Sequence, residues 1–237
     1  MTPLLEALVD DAGLFPPTQL PMAQALSRHR KSVSPVLSGR FLCPASRLSE
    51  LASLLEPQER IAVHLLHDVD DPPRTAPGVD VRAVEESDLP RYRPALACYV
   101  EAWPSPDLLA AGCFAKLRCG GEAVPATGTV SAFLRAAVEY DVPFKATAGL
   151  HAAVRGSDVA PDGTAHHGFL NLALAVCAAL SGAAPEPVLE CEDPGVLARQ
   201  VRATPEALAR AARAIFHSYG SCDTERPVVD LLELELL

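Results

Sequence analysis

Short apolar runs alternate with polar, turn-forming stretches along the whole chain. They fall at residues 8–15, 35–43, 61–66, 79–84, 96–102, 113–118 and 142–147, with an eighth at either 187–191 or 215–219. Most are too short for helices and read as strands buried on both faces. Helical spacing appears between several of them. Ser46 stands before Leu48, Leu51, Leu54 and Leu55, which share one helical face. Thr129 precedes Val130, Phe133, Leu134, Ala137 and Val138 at the i, i+3, i+4, i+7, i+8 spacing of an amphipathic helix. Thr204-Pro205-Glu206 reads as a cap, a first-turn proline and an acidic first turn for a helix running to about Phe216. Residues 169–180 form an apolar stretch that suits a buried helix.

Strands alternating with helices imply an α/β fold with a parallel sheet. About eight strands in 237 residues fit a single (β/α)8 barrel of the TIM type spanning residues 1–237. The stretches at 68–78 and 85–94 are proline-rich and lack a helical pattern, so irregular connections are expected after the third and fourth strands. An open doubly wound sheet is the alternative. However, no GxGxxG follows the first strand, and Asp10-Asp11-Ala12-Gly13 is too acidic to cradle a pyrophosphate.

Composition narrows the function classes. Apolar residues make up 49% of the chain and charged ones 21%, which excludes a disordered chain. Thirty acidic against 20 basic residues give a net charge of −10, so no nucleic-acid partner is expected. No run approaches the roughly 18–20 apolar residues of a membrane span. The first residues lack the basic start of a secretory signal. Seven scattered cysteines without a CxxC pair read as reduced thiols in a cytoplasmic protein. Whether the protein is a monomer or a homo-oligomer is open at this stage.

In such barrels the chemistry sits at the C-terminal ends of the strands. The polar residues expected there are Asp11, Arg40, Glu101, Lys116, Arg118 and Lys145. Of the 20 basic residues only Lys31, Lys116 and Lys145 are lysines, and two of these three fall at the adjacent sixth and seventh strand ends. Adjacent strands are about 4.8 Å apart, so the two ammonium groups can approach closely. Like charges in a partly desolvated site would lower the pKa of one lysine and free an amine for attack on a carbonyl. Arginine cannot do this, because it does not lose its proton. The lysines could equally bind an anion without a covalent bond, or hold ion pairs with Glu101, Asp11 or Glu85. Glu101, His151 and His167 are candidate proton carriers. Arg40 and Arg118 are candidates to grip a carboxylate or phosphate. Asn171, Ser221 and Cys222 are candidate substrate contacts. A metal held by His151 and His167 with Cys119 or Asp11 is the less favoured reading, since neither HxH nor HExxH occurs; no metal or cofactor is expected. His64 and His67 read as structural.

Two resemblances add to this. A lysine ending strand six and another ending strand seven, each followed by a glycine-containing turn, is similar to class I aldolases of the deoxyribose-phosphate aldolase type. The resemblance implies Lys116 as the Schiff-base amine and Lys145 as its partner, over about fifteen residues. Five segments spread over nearly the whole chain resemble motifs of an uncharacterised bacterial family. They are 12–17 (AGLFPP), 116–121 (KLRCGG), 144–151 (FKATAGLH), 167–171 (HGFLN) and 219–222 (YGSC). The chain departs from that pattern at His151-Ala152-Ala153 and at Asp223-Thr224. The expectation is a lyase acting on a small carbonyl metabolite through an imine at Lys116. The alternatives are a barrel enzyme that stabilises an enolate or anion non-covalently and a non-catalytic metabolite-binding barrel.

Overall fold

The computed structural model describes residues 1–70, 75–90, 94–121, 123–157, 159–160 and 162–237. Eight parallel strands close into a barrel in chain order: β1 (Val9–Asp11), β2 (Leu37–Pro44), β3 (Ile61–Leu66), β4 (Val79–Glu86), β5 (Ala97–Val100), β6 (Cys113–Arg118), β7 (Phe144–Thr147) and β8 (Phe216–Ser221). The fold is therefore the (β/α)8 barrel expected from the pattern. The helices are α1 (Met22–Lys31), α2 (Leu48–Ser53), α3 (Pro106–Ala110), α4 (Thr127–Glu139), α5 (Phe169–Leu180), α6 (Glu186–Leu189), α7 (Pro194–Ala203), α8 (Glu206–Ile215) and α9 (Glu225–Glu233). Among the described residues, no helix lies between β3 and β4 or between β4 and β5, in line with the proline-rich connections. Residues 71–74 and 91–93 of those connections lie outside the described set. No described helix is long and apolar enough to cross a membrane.

Of the two candidates for the eighth strand, residues 216–221 form it, while 186–189 are the short helix α6. Three helix starts differ from the sequence reading. Ser46 lies in a 3-10 turn before α2, and its hydroxyl donates to Asp68 instead of capping the helix. Helix α4 begins at Thr127, so Thr129 lies inside it. Thr204 closes α7 instead of opening α8: its hydroxyl donates to the Gln200 carbonyl, 2.8 Å away. Proline at 205 then separates the two helices, since it cannot donate within a continuing helix.

The strands do not present two apolar faces. Their outward side chains, such as Phe41, Val63, Leu65, Phe144 and Tyr219, are fully buried beneath the helices. Tyr219 stacks on Phe169 of α5 and Phe144 on Phe216, while Phe133 of α4 meets Phe144 edge to face. The inward positions are largely polar, including Asp10, His64, Glu85, Lys116, Lys145 and Ser218, all buried. Alternation of period two separates the faces, and this barrel uses its interior for charge, not for apolar packing.

Candidate active site

The register sets Lys116 of β6 directly beside Lys145 of β7, and Lys145 beside Ser218 of β8. Both lysines lie within their strands, two residues before the strand ends, and their side chains enter the barrel. They do not face each other as bare like charges. The Glu85 carboxylate from β4 bridges them, with Oε1 at 2.6 Å from Lys145 Nζ and Oε2 at 3.4 Å from Lys116 Nζ.

The two ammonium groups are held differently. Lys145 is 1% exposed, and three acceptors surround its Nζ: Glu85 Oε1 at 2.6 Å, Asp10 Oδ2 at 2.8 Å and His64 Nδ1 at 2.8 Å. An ammonium has three hydrogens, so every one is used. Burial alone would lower the Lys145 pKa, but Asp10 and Glu85 outweigh it and raise it above the ordinary lysine value. Lys116 is looser. Its Nζ meets Glu85 at 3.4 Å and Glu101 at 3.2 Å. Among the described residues, its third hydrogen has no protein acceptor.

These contacts belong to a ladder of alternating charge through the barrel. From the C-terminal mouth it runs Arg118, Glu101, Lys116, Glu85, Lys145, Asp10, Arg40. Arg118 grips Glu101 through two bonds of 3.0 and 2.6 Å. Arg40 Nε holds Asp10 at 2.7 Å, and Ser38 and Ser218 donate to the same carboxylate at 2.6 and 2.7 Å. Burial would raise the carboxyls of Asp10, Glu85 and Glu101. Lys145 and Arg40 hold Asp10 far below the carboxylate range, Lys145 and Lys116 hold Glu85 below it, and the Arg118 hydrogen bond does the same for Glu101. His64 is the neutral member. Burial, then the Lys145 charge, depresses its pKa to about 4, so its Nδ1 accepts from Lys145. Four cations against three carboxylates leave the ladder one positive charge in excess.

A cavity of about 560 Å³ opens at the C-terminal mouth, walled by the loops after β1, β6, β7 and β8. Cys222 and His151 meet there, Sγ to Nδ1 at 3.7 Å. Burial would raise the Cys222 thiol, but hydrogen bonds from His151 and Thr18 outweigh it and lower its pKa. His166 stands with its ring centroid 5.6 Å from that of His151. The β6 and β7 loops touch through glycines. Gly149 has φ +68°, and a Cβ on it would lie 2.5 Å from the Cys119 carbonyl oxygen.

The structure thus brings Lys116, Lys145, Glu101 and Arg118 together, and places His151 and Cys222 on the wall of the C-terminal cavity, which the two lysines do not line. The other candidates lie elsewhere. Asp11 points out of the barrel to α1, where Arg28 and His29 hold it at 2.7 and 3.1 Å. Arg40 faces the opposite, N-terminal end, so it cannot join Arg118 on one small substrate. His167 is 1% exposed, and its Nε2 lies 2.8 Å from the Pro125 carbonyl. Burial lowers its pKa, and it serves the loop before α5. Asn171 is fully buried and ties three backbone groups: it accepts from Arg155 and donates to the carbonyls of Val188 and Cys191 at 2.7–2.8 Å. Ser221 turns outward and donates to the Asp223 carbonyl at 2.6 Å. The sequence reading names Glu85 only as a possible ion-pair partner, takes His64 as structural and does not separate Asp10 from Asp11; all three contact Lys145. Among the described residues, no three His, Cys, Asp or Glu side chains cluster as metal ligands would.

No protein-family model, curated protein or solved structure matches this chain.

Proposed function

We propose that this barrel is a lyase-type enzyme that acts on a small carbonyl metabolite through an imine at Lys116. The observation that carries this reading is the asymmetry between the two lysines. Lys145 has all three of its hydrogens engaged at 2.6–2.8 Å, whereas Lys116 is held at 3.2–3.4 Å with one direction free. Lys116 is thus the amine that can lose a proton and face a substrate. Glu85, ionised and touching both lysines, is the group that takes that proton. Lys145 keeps Glu85 ionised and in place. It acts as a positioning residue, which differs from the direct perturbation of the Schiff-base amine that the aldolase resemblance implies for the strand-seven lysine.

In the bond-forming step Lys116 Nζ, as neutral amine, adds to the carbonyl carbon. The two amine protons then leave with the carbonyl oxygen as water, and a C=N bond remains. The protonated imine draws the electron pair of a neighbouring bond, which permits carbon–carbon cleavage or loss of a hydroxyl. The ladder's surplus positive charge, with Arg118 at the mouth, favours a substrate carrying a carboxylate or phosphate. Seven free cysteines, six of them buried, fit a reducing, cytoplasmic setting.

Reductive methylation with limiting formaldehyde and a borohydride reductant tests the amine chemistry residue by residue, because formaldehyde itself reacts through an imine. Lys31 is exposed and provides the internal standard. Peptide mass spectrometry is expected to find Lys31 and Lys116 methylated in the folded protein, and Lys145 methylated only after denaturation. Protection of Lys116 equal to that of Lys145 would count against the imine and favour the non-covalent reading.

A further inference from the structure

The N-terminal end of the barrel is hollow where TIM-type barrels are ordinarily filled by bulky branched side chains. The inward positions there carry Ala62, Ala83 and Ala97, and a cavity of about 490 Å³ stands among them. Its polar wall is basic. Arg40 comes from β2, Arg82 from β4 and Arg213 from the end of α8. Two of these arginines have carboxylate partners: Asp10 for Arg40 and Asp80 for Arg82. Arg213 has none among the described residues. It donates only to the backbone carbonyls of Phe216, Glu6 and Ala7.

A guanidinium stays charged in a protein, so a partly enclosed one without a counter-ion leaves a positive field in the space it faces. The titratable neighbours report that field. His217 lies on the cavity wall with its Nδ1 2.7 Å from the Tyr99 hydroxyl. Burial first, then the charge of Arg213, pushes its pKa down to about 4. The other polar groups on this wall are the neutral Ser38, His64, Tyr99, His217 and Ser218, with no carboxylate among its lining residues, while arginines converge from two strands and a helix end. A hollow with small side chains at its floor, arginines around it and one unmatched positive charge is shaped for an anion with several acceptor oxygens.

We propose that this cavity is a binding site for a phosphate group, with Arg213 and Arg40 as the principal donors and Arg82 at the rim. The site lies at the end of the barrel opposite the Lys116 mouth and does not depend on the imine reading. Free phosphate and a small phosphate monoester present the same oxygens, and the space admits either.

The test uses the full chain with sodium phosphate, glycerol 3-phosphate and sodium chloride at matched ionic strength. Thermal midpoints are followed against concentration, and the His217 ring nitrogens by NMR. Phosphate and the monoester are expected to raise the midpoint saturably above the chloride control, and to move the His217 titration upward from about 4. An affinity about tenfold higher for the monoester would assign the site to a phosphorylated metabolite. Equal affinities would assign it to free phosphate. Ala97→Leu, which fills the hollow, is expected to abolish the effect. Should that variant fail to fold, Arg82→Gln removes a rim charge that is 62% exposed and is expected to weaken binding about tenfold. The proposal is overturned if chloride reproduces the phosphate effect, or if the effect survives unchanged in the folded variants.

Discussion

Lys145→Met is expected to destabilise the folded chain by about 3–5 kcal/mol, the cost of stripping a buried ion pair of one partner. The reason lies in what the substitution leaves behind. Asp10 is 0% exposed and Glu85 is 3% exposed; Glu85 loses its shortest cationic contact and Asp10 one of its two close ones. Asp10 keeps Arg40 and two serine hydroxyls, and Glu85 keeps only the longer bond to Lys116. The same substitution at Lys116 costs less, because its contacts are longer and Glu101 remains bound by Arg118. Urea denaturation of both variants, with Lys145→Met/Glu85→Gln as the double variant, measures this. The double variant should be more stable than Lys145→Met alone, since the orphaned charge is gone. A loss below about 1 kcal/mol for Lys145→Met would mean that water or another cation replaces the ammonium.

Stability is expected to fall steeply as the pH drops from about 6.5 to 4. His64 and His217 both have folded pKa values near 4 against an ordinary 6.5. Between those limits the unfolded chain binds protons that the folded chain refuses, so each step down in pH favours unfolding. His64, enclosed beside Lys145, accounts for about 3 kcal/mol across this window. His217 is less enclosed and contributes less. Asp10, Glu85 and Glu101 act lower down: their depressed carboxyls stabilise the fold above the ordinary carboxylate range, and that contribution disappears as acid reaches them. Lys145 has the opposite sign. Its raised pKa supports the fold up to the ordinary lysine range and is lost only as the pH climbs past its own value. Urea titrations at pH 7, 6, 5 and 4.5 read the slope. His64→Gln, which keeps an acceptor for Lys145 but does not titrate, should flatten it by about one proton. An unchanged slope would assign the acid sensitivity to other groups.

The alternation of apolar and polar runs made the barrel legible, because each strand must bury its outward face beneath helices whatever its interior holds. The proline-rich stretches after β3 and β4 likewise announced connections that hold no helix among the described residues. Helix starts were less legible. Thr129 and Thr204 have the side chains of good caps, but which turn a threonine closes depends on the neighbouring helix, and Thr204 serves α7. The lysine pair was visible through its scarcity and its adjacent strands, and the register places the two side by side. What the sequence hid was direction. β1 is only three residues long, too short for alternation to say whether Asp10 or Asp11 points inward, and Asp10 does. Strand β4 runs two residues past its apolar stretch, which brings Glu85 into the barrel between the lysines. The separation of Arg40 from Arg118 depends on position along the barrel axis, which a list of strand residues does not carry.

The most direct test of the central claim is reductive trapping with candidate substrates. The protein is incubated with a panel of small aldehydes, ketones and 2-keto acids, with and without a phosphate group, in the presence of borohydride, and then mapped by peptide mass spectrometry. One adduct per chain is expected, formed with loss of the carbonyl oxygen as water and gain of two hydrogens, on the peptide containing Lys116. It should be absent from Lys116→Arg, which keeps the charge without the amine. An adduct on Lys145 in the folded protein, or none from any carbonyl in the panel, would contradict the assignment of Lys116 as the reacting amine.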